Sequence, residues 1–268
     1  MRTGNPALGA KTFEKYRAAA GAGPAVMDAG TGATGDPATA AGSQRMTLQG
    51  TVNKSLFLIL LVVLTGGYVW NLFFQNPDQP DLVMPWMIGG LIGGFIVAIV
   101  TAFKHTWAPV LAPVYAALEG LALGGISAIF EARFPGIVMQ AVGLTVGVFI
   151  ALLMAYTSGL IKPTENFKLG VFAATGGIAL LYLVNVGMQM FGFGGMGFIH
   201  DSGPIGIGFS VFVVIIASMN LVLDFDFIEE GAIQGAPKYM EWYAAFGLLV
   251  TLVWLYIEIL RLLSKLRR

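Results

Sequence analysis

Residues 113–130 read Pro113-Val-Tyr-Ala-Ala-Leu-Glu-Gly-Leu-Ala-Leu-Gly-Gly-Ile-Ser-Ala-Ile-Phe130. Seventeen of these eighteen residues suit the interior of a lipid bilayer, and one, Glu119 at the midpoint, does not. An acidic side chain at the centre of a bilayer costs about 3 kcal/mol on insertion scales. A chain that bears this cost generally uses the group, so Glu119 is read as a protonatable or cation-attracting residue facing the interior of a helix bundle. The plainer alternative is a glutamic acid hydrogen-bonded to a neighbouring helix for packing.

The surrounding sequence repeats the same pattern. The chain has 268 residues, of which 56% are hydrophobic and only 11% charged. Soluble domains carry roughly 25% charged residues, so the deficit points to a polytopic membrane protein. Seven apolar stretches are expected to span the bilayer, at 55–74, 82–103, 108–130, 137–160, 169–193, 205–227 and 240–263. Each is long enough to cross ~30 Å of hydrocarbon at 1.5 Å per residue. The connections are short, as in Gln75-Asn-Pro-Asp-Gln-Pro-Asp81, which makes successive helices antiparallel neighbours. The expectation is therefore an all-α seven-helix transmembrane domain over residues 51–268, after a disordered cytoplasmic tail over 1–50 with a short helix near residues 13–20. That tail shows no charged segment followed by an apolar one, so no cleaved signal peptide is expected.

Lys and Arg placement sets the orientation. With the N-terminus inside, the inner side holds Arg2, Lys11, Lys15, Arg17, Arg45, Lys54, Lys104, Lys162, Lys168 and Lys238. The outer side holds Arg133 and the opposing C-terminal group Arg261, Lys265, Arg267 and Arg268. Positive and negative residues balance, which gives no sign of a nucleic-acid partner. There is no cysteine, so disulfides, thiolate metal sites and cysteine nucleophiles are excluded. Glycines four apart, at 89/93, 90/94, 120/124 and 143/147, are expected to let helices approach closely.

Further polar residues punctuate the spans. Asp224, Asp226, Glu229 and Glu230 cluster at the end of the sixth. Asp224 and Asp226 point about 200° apart on a helix, so only one faces the bundle. Asn220 shares the face of Asp224, which makes Asp224 the inward residue and leaves Asp226 at a solvated inner mouth. A solvated helix end is the plain reading of the whole cluster, and for Asp224 both readings stand. In the seventh span, Glu241 lies at a depth within ~5 Å of Asp224 across the hairpin, whereas Glu258 lies about 25 Å further on and is one turn from Arg261. Asn185 and Gln189 share a face and are expected to form interhelical hydrogen bonds. His105 and His200 are too far apart to suggest a metal site. Lys265 stands at the end of its span, which argues against a retinal-binding photoreceptor.

The run Tyr115-Ala-Ala-Leu-Glu-Gly-Leu-Ala-Leu-Gly-Gly125, followed by Gly136-Ile-Val-Met-Gln-Ala-Val-Gly-Leu-Thr-Val-Gly-Val-Phe149, resembles the Bax inhibitor-1 (transmembrane Bax-inhibitor-motif) family. Asp224 looks like that family's aspartate at the same place, and Leu255-Tyr-Ile-Glu-Ile-Leu260 is similar to its final Leu-Tyr-Leu-Asp motif. The tail and the Asn5-Pro6 start resemble an actinobacterial branch. The resemblance implies a bundle whose last helix is surrounded by the other six, in a bacterial inner membrane, with a pH-sensitive calcium leak through an acidic pair on the last two spans. Two departures affect that pair and its latch. The motif assigns Glu258 as partner of Asp224, hairpin depth favours Glu241, and a gap-free count lands on Ala245 or Leu249, so the pair is displaced or absent. The family's latch arginine in the second span is missing, and Lys104 at its inner end is the nearest candidate.

The resulting expectation is a passive Ca²⁺ pathway gated by carboxylate protonation, with Asp224, Glu241, Glu119 and Glu258 along it and Asp226 and Lys104 at its mouth. Hard cations take oxygen ligands, which Asp224 and Glu241 supply, and no other cofactor is expected. The alternative is a non-transporting regulator that binds a membrane protease. A proton-coupled transporter would show inverted repeats, and no convincing repeat is present. No HExxH or GxSxG motif suggests an enzyme.

Overall fold

The computed structural model describes residues 45–192, 194–197 and 201–268. Most of the expected tail, its short helix near residues 13–20 and His200 lie outside the described residues. Among the described residues, seven α-helices are long and apolar enough to cross a membrane. They are α1 (Leu48–Gln75), α2 (Met84–Phe103), α3 (Ala108–Arg133), α4 (Ile137–Thr157), α5 (Glu165–Met190), α6 (Pro204–Ile233) and α7 (Met240–Leu266).

Local chemistry sets the ends. Thr47 caps α1 by accepting the Gly50 N–H at 3.0 Å, and Thr164 caps α5 by accepting that of Phe167 at 3.3 Å. Proline stands in the first turn of α2, α3 and α6, where its missing N–H costs no helical bond. Gly235, at φ +66°, turns the chain between α6 and α7. Two helices exceed their expected lengths by more than a turn. α1 starts at Leu48 rather than 55, because the Thr47 cap precedes the apolar run. α6 continues past 227 to Ile233, which keeps all four carboxylates of its last turns on the helix.

The bundle is layered around two inner helices. Half of the most apolar stretch of α3 and of α7 is buried, against 11–17% for α1, α2, α4 and α5. α7 packs against α1, α3, α4 and α6, which places it centrally. One face of α7, with Phe246, Leu249 and Val253, meets Leu58 of α1 and Ala112, Tyr115 and Leu123 of α3. The other, with Leu248, Leu255 and Ile259, meets Ile137 and Ala141 of α4 and Leu221 and Phe225 of α6. Large apolar side chains such as Phe95, Phe172 and Leu183 point outward, as lipid-facing residues do.

Close approach depends on two of the glycine pairs. A methyl group on Gly124 would stand 2.8 Å from the Cα of Gly66, and one on Gly120 2.6 Å from the Val62 carbonyl, so α1 and α3 touch backbone to backbone. Gly90 and Gly94 give α2 the same access to α3 at Leu118 and Glu119. Gly143 and Gly147, expected to serve likewise, face nothing within 4 Å on α4.

Candidate functional site

Gly247, Thr251, Trp254, Glu258, Arg261 and Lys265 recur at intervals of four and three residues, so they form one stripe along α7. The stripe faces α5 and α6. Asp224 of α6 stands at the end of the stripe nearer the α6–α7 turn, with Oδ1 at 3.9 Å from where a methyl group on Gly247 would be and with Thr251, whose hydroxyl donates to the Gly247 carbonyl at 3.3 Å, beside it. Its Oδ2 is buried and has no hydrogen-bond partner among the described residues. One turn away, Asn220 donates to the Thr175 hydroxyl of α5 at 2.8 Å. Trp254 then packs against the apolar cluster Ile178, Val213 and Ile216. Beyond it, Glu258 is buried, accepts from Tyr182 of α5 at 3.1 Å and pairs with Arg261 at 3.0 Å. At the far end of the stripe, Lys265 donates to the Gly206 carbonyl at 2.9 Å and to the Ser210 hydroxyl at 2.8 Å, both on α6.

Glu241 occupies a different environment. Its carboxylate is fully buried. Oε1 accepts from the backbone N–H and the hydroxyl of Thr47, each at 2.9 Å, and pairs with Lys238 at 2.8 Å. Oε2 pairs with Lys54. The segment before α1 is pinned beside this clamp, with the Met46 N–H donating to the Ala236 carbonyl at 2.7 Å. A methyl group on Gly50 would collide with the Glu241 carboxylate, so that glycine leaves the room the acid occupies. Glu241 therefore fastens the start of α1 to the α6–α7 turn, while Asp224 faces α7 about 9 Å further along the helix. Among the described residues, Asp224 makes no hydrogen bond to Glu241 or Glu258.

The remaining candidates are spread over the bundle. Glu119 lies buried on α3, beside Tyr115 one turn before it and packed on Gly94 of α2. Tyr115 in turn stacks edge-on against Phe246 of α7, on the side of that helix away from Asp224. Asp226 pairs with Lys168 of α5 at 2.7 Å and so is held at the helix end, not simply solvated. Glu229 bonds the Tyr156 hydroxyl of α4. Lys104 is exposed at the end of α2. His105 packs edge-on against Tyr243, and Asn185 accepts from the Met196 N–H in the loop after α5. Among the described residues, no three His, Asp or Glu side chains gather in a metal-binding group.

The sequence model of the family described as Bax inhibitor 1 like matches residues 5–268. The chain belongs to the Bax inhibitor 1-like family. Neither a comparison with curated proteins nor one with solved structures found a match. Within the Bax inhibitor 1-like fold of this chain, two acids of the last helix are engaged by cations of their own, and the side chains facing Asp224 are small or neutral. Thr251 belongs to the stripe but to no motif that stands out in the sequence. Its signal was its spacing, seven residues before Glu258 and fourteen before Lys265. Lys54 and Lys238 were read only as topology markers, because their meeting at Glu241 depends on a contact between the first and last helices.

Proposed function

We propose that this Bax inhibitor 1-like protein is a non-enzymatic cation leak, conducting calcium along the seam between α5, α6 and α7, with Asp224 as its proton-sensitive group. The observation that carries the reading is the buried, unpartnered oxygen of Asp224 at the inner end of a polar stripe. A carboxylate oxygen shut away from water is satisfied by a proton or by a cation. The two compete for one group, so acidification opposes cation occupancy. Trp254 with Ile178, Val213 and Ile216 interrupts the stripe as an apolar constriction, a recognised form of gate. Asp226 and Lys104 flank the inner mouth, Glu258 lies beyond the constriction, and Glu119 is an interior polar group on the opposite side of α7. The greater share of Lys and Arg at the start of α1 supports an N-terminus in the cytoplasm, in an inner membrane of bacterial, actinobacterial type.

Calcium flux into dye-loaded proteoliposomes across a pH series tests the reading. Flux above that of empty liposomes is expected, falling as the pH is lowered, with Asp224→Asn reduced to background. A flux equal in Asp224→Asn and the unaltered protein, or no flux in either, overturns it.

A further inference from the structure

The end of the bundle opposite the Glu241 clamp carries a concentration of positive charge, part of which lies outside the α7 stripe. A cavity of about 180 Å³ opens there between the ends of α3 and α7. Its polar lining consists of Arg133, Arg261, Ser264, Lys265 and Arg268, and no Asp or Glu lines it. Its apolar lining is Ile129, Phe130 and Phe134. Of the cations, Arg261 is committed to Glu258 and Tyr182, and Lys265 to Gly206 and Ser210. Arg267, next in the chain, is turned to the Phe134 and Pro135 carbonyls and to Gln140. The nearby Glu131 bonds the backbone N–H groups of Gly136 and Val138. Arg133 and Arg268 are left with no ion pair among the described residues, so these two cations of the lining have no counterion there, whereas Arg261 faces Glu258 and Lys265 has Glu258 and Asp201 nearby.

We propose that this cavity binds the phosphate group of an anionic phospholipid. Guanidinium groups present several N–H donors in a planar fork that matches phosphate oxygens, and two of them here have no competing partner. The apolar half of the lining suits the glycerol and upper acyl carbons, which a free anion does not need. The location fits the same ligand, because the terminus of a helix long enough to span hydrocarbon meets the headgroup layer. The site also accounts for the charge anomaly of the chain, a basic group on the side where basic residues are ordinarily sparse, since a bound anionic headgroup neutralises it. The site shares Arg261 and Lys265 with the far end of the α7 stripe, but the two cations on which it rests, Arg133 and Arg268, lie outside that stripe.

The test uses the purified full chain in neutral detergent, titrated with short-chain phosphatidylglycerol, with short-chain phosphatidylcholine and with inorganic phosphate. Binding is read by native mass spectrometry of retained ligand and by thermal shift. Saturable retention of phosphatidylglycerol over phosphatidylcholine is expected. The Arg133→Gln/Arg268→Gln double variant should weaken it at least about tenfold, the scale of losing charge-assisted hydrogen bonds. Arg267→Gln, whose guanidinium is engaged with Phe134, Pro135 and Gln140, should bind as the unaltered protein does. Equal retention by the double variant overturns the site. Inorganic phosphate binding as tightly as the lipid overturns the assignment of a lipid ligand.

Discussion

Asp224 and Glu241 are carboxylates on the two arms of one helical hairpin, and they are buried in opposite ways. Glu241 is saturated, with two lysines, a hydroxyl and a backbone N–H around its two oxygens. Asp224 has a threonine on one side, a glycine before it and an oxygen with no partner. A buried charge with all its partners in place holds structure together, because removing any one of them strands the rest. A buried polar atom with none is costly to keep and available to a ligand. Under the proposed function, the two acids would divide stability and transport between them, and each could be altered without the other.

The largest expected effect on stability is at Glu241. Glu241→Gln removes the counter-charge of Lys54 and Lys238 while leaving both lysines in place. Complete burial of both partners would make the cost several kcal/mol, but the lysines reach water in part, so about 2 kcal/mol is expected. Thermal unfolding in mild detergent measures it, and calcium flux per folded molecule should persist. An unchanged melting temperature with abolished flux would reverse the roles assigned to the two acids.

A smaller effect separates the two lysines. The Lys54 side chain is 17% exposed and that of Lys238 47%. Solvent screens the second more, so Lys54→Met is expected to cost about 1 kcal/mol and Lys238→Met less than about 0.5 kcal/mol. Equal losses in the same unfolding assay would mean that exposure does not set the strength of the clamp.

The same contrast shows what was legible in the sequence. Helix number and type followed from runs of apolar residues long enough to span, and their ends from Pro, Thr and Gly. Asp224 was legible as an inward acid because Asn220 shares its face within one helix. Its surroundings were not, because the hairpin-depth argument fixes how far along α7 a residue lies but not which way it points. Glu241 matched Asp224 roughly in depth, yet its side chain turns to α1. Position 247, not 241, meets the aspartate, and a glycine carries no signal of its own. The clamp itself joins residues almost two hundred positions apart, beyond the reach of any local pattern. The glycine pairs show the same limit. Spacing alone did not distinguish Gly120 and Gly124, which touch α1, from Gly143 and Gly147, which touch nothing.

The smallest expected stability effect is the most decisive for the comparison. Asp224→Asn keeps the size of the side chain and an oxygen beside Thr251. It removes the charge from a position where no cationic partner stands. No ion pair is broken, so no opposite charge is stranded, unlike at Glu241. The melting temperature should therefore stay close to that of the unaltered protein, with a change in unfolding free energy within about 0.5 kcal/mol. A loss as large as that of Glu241→Gln would show that Asp224 is held by partners after all and that its bare oxygen is not available to an ion. An unchanged melting temperature combined with lost calcium flux would separate the acid that serves transport from the acid that fastens the bundle.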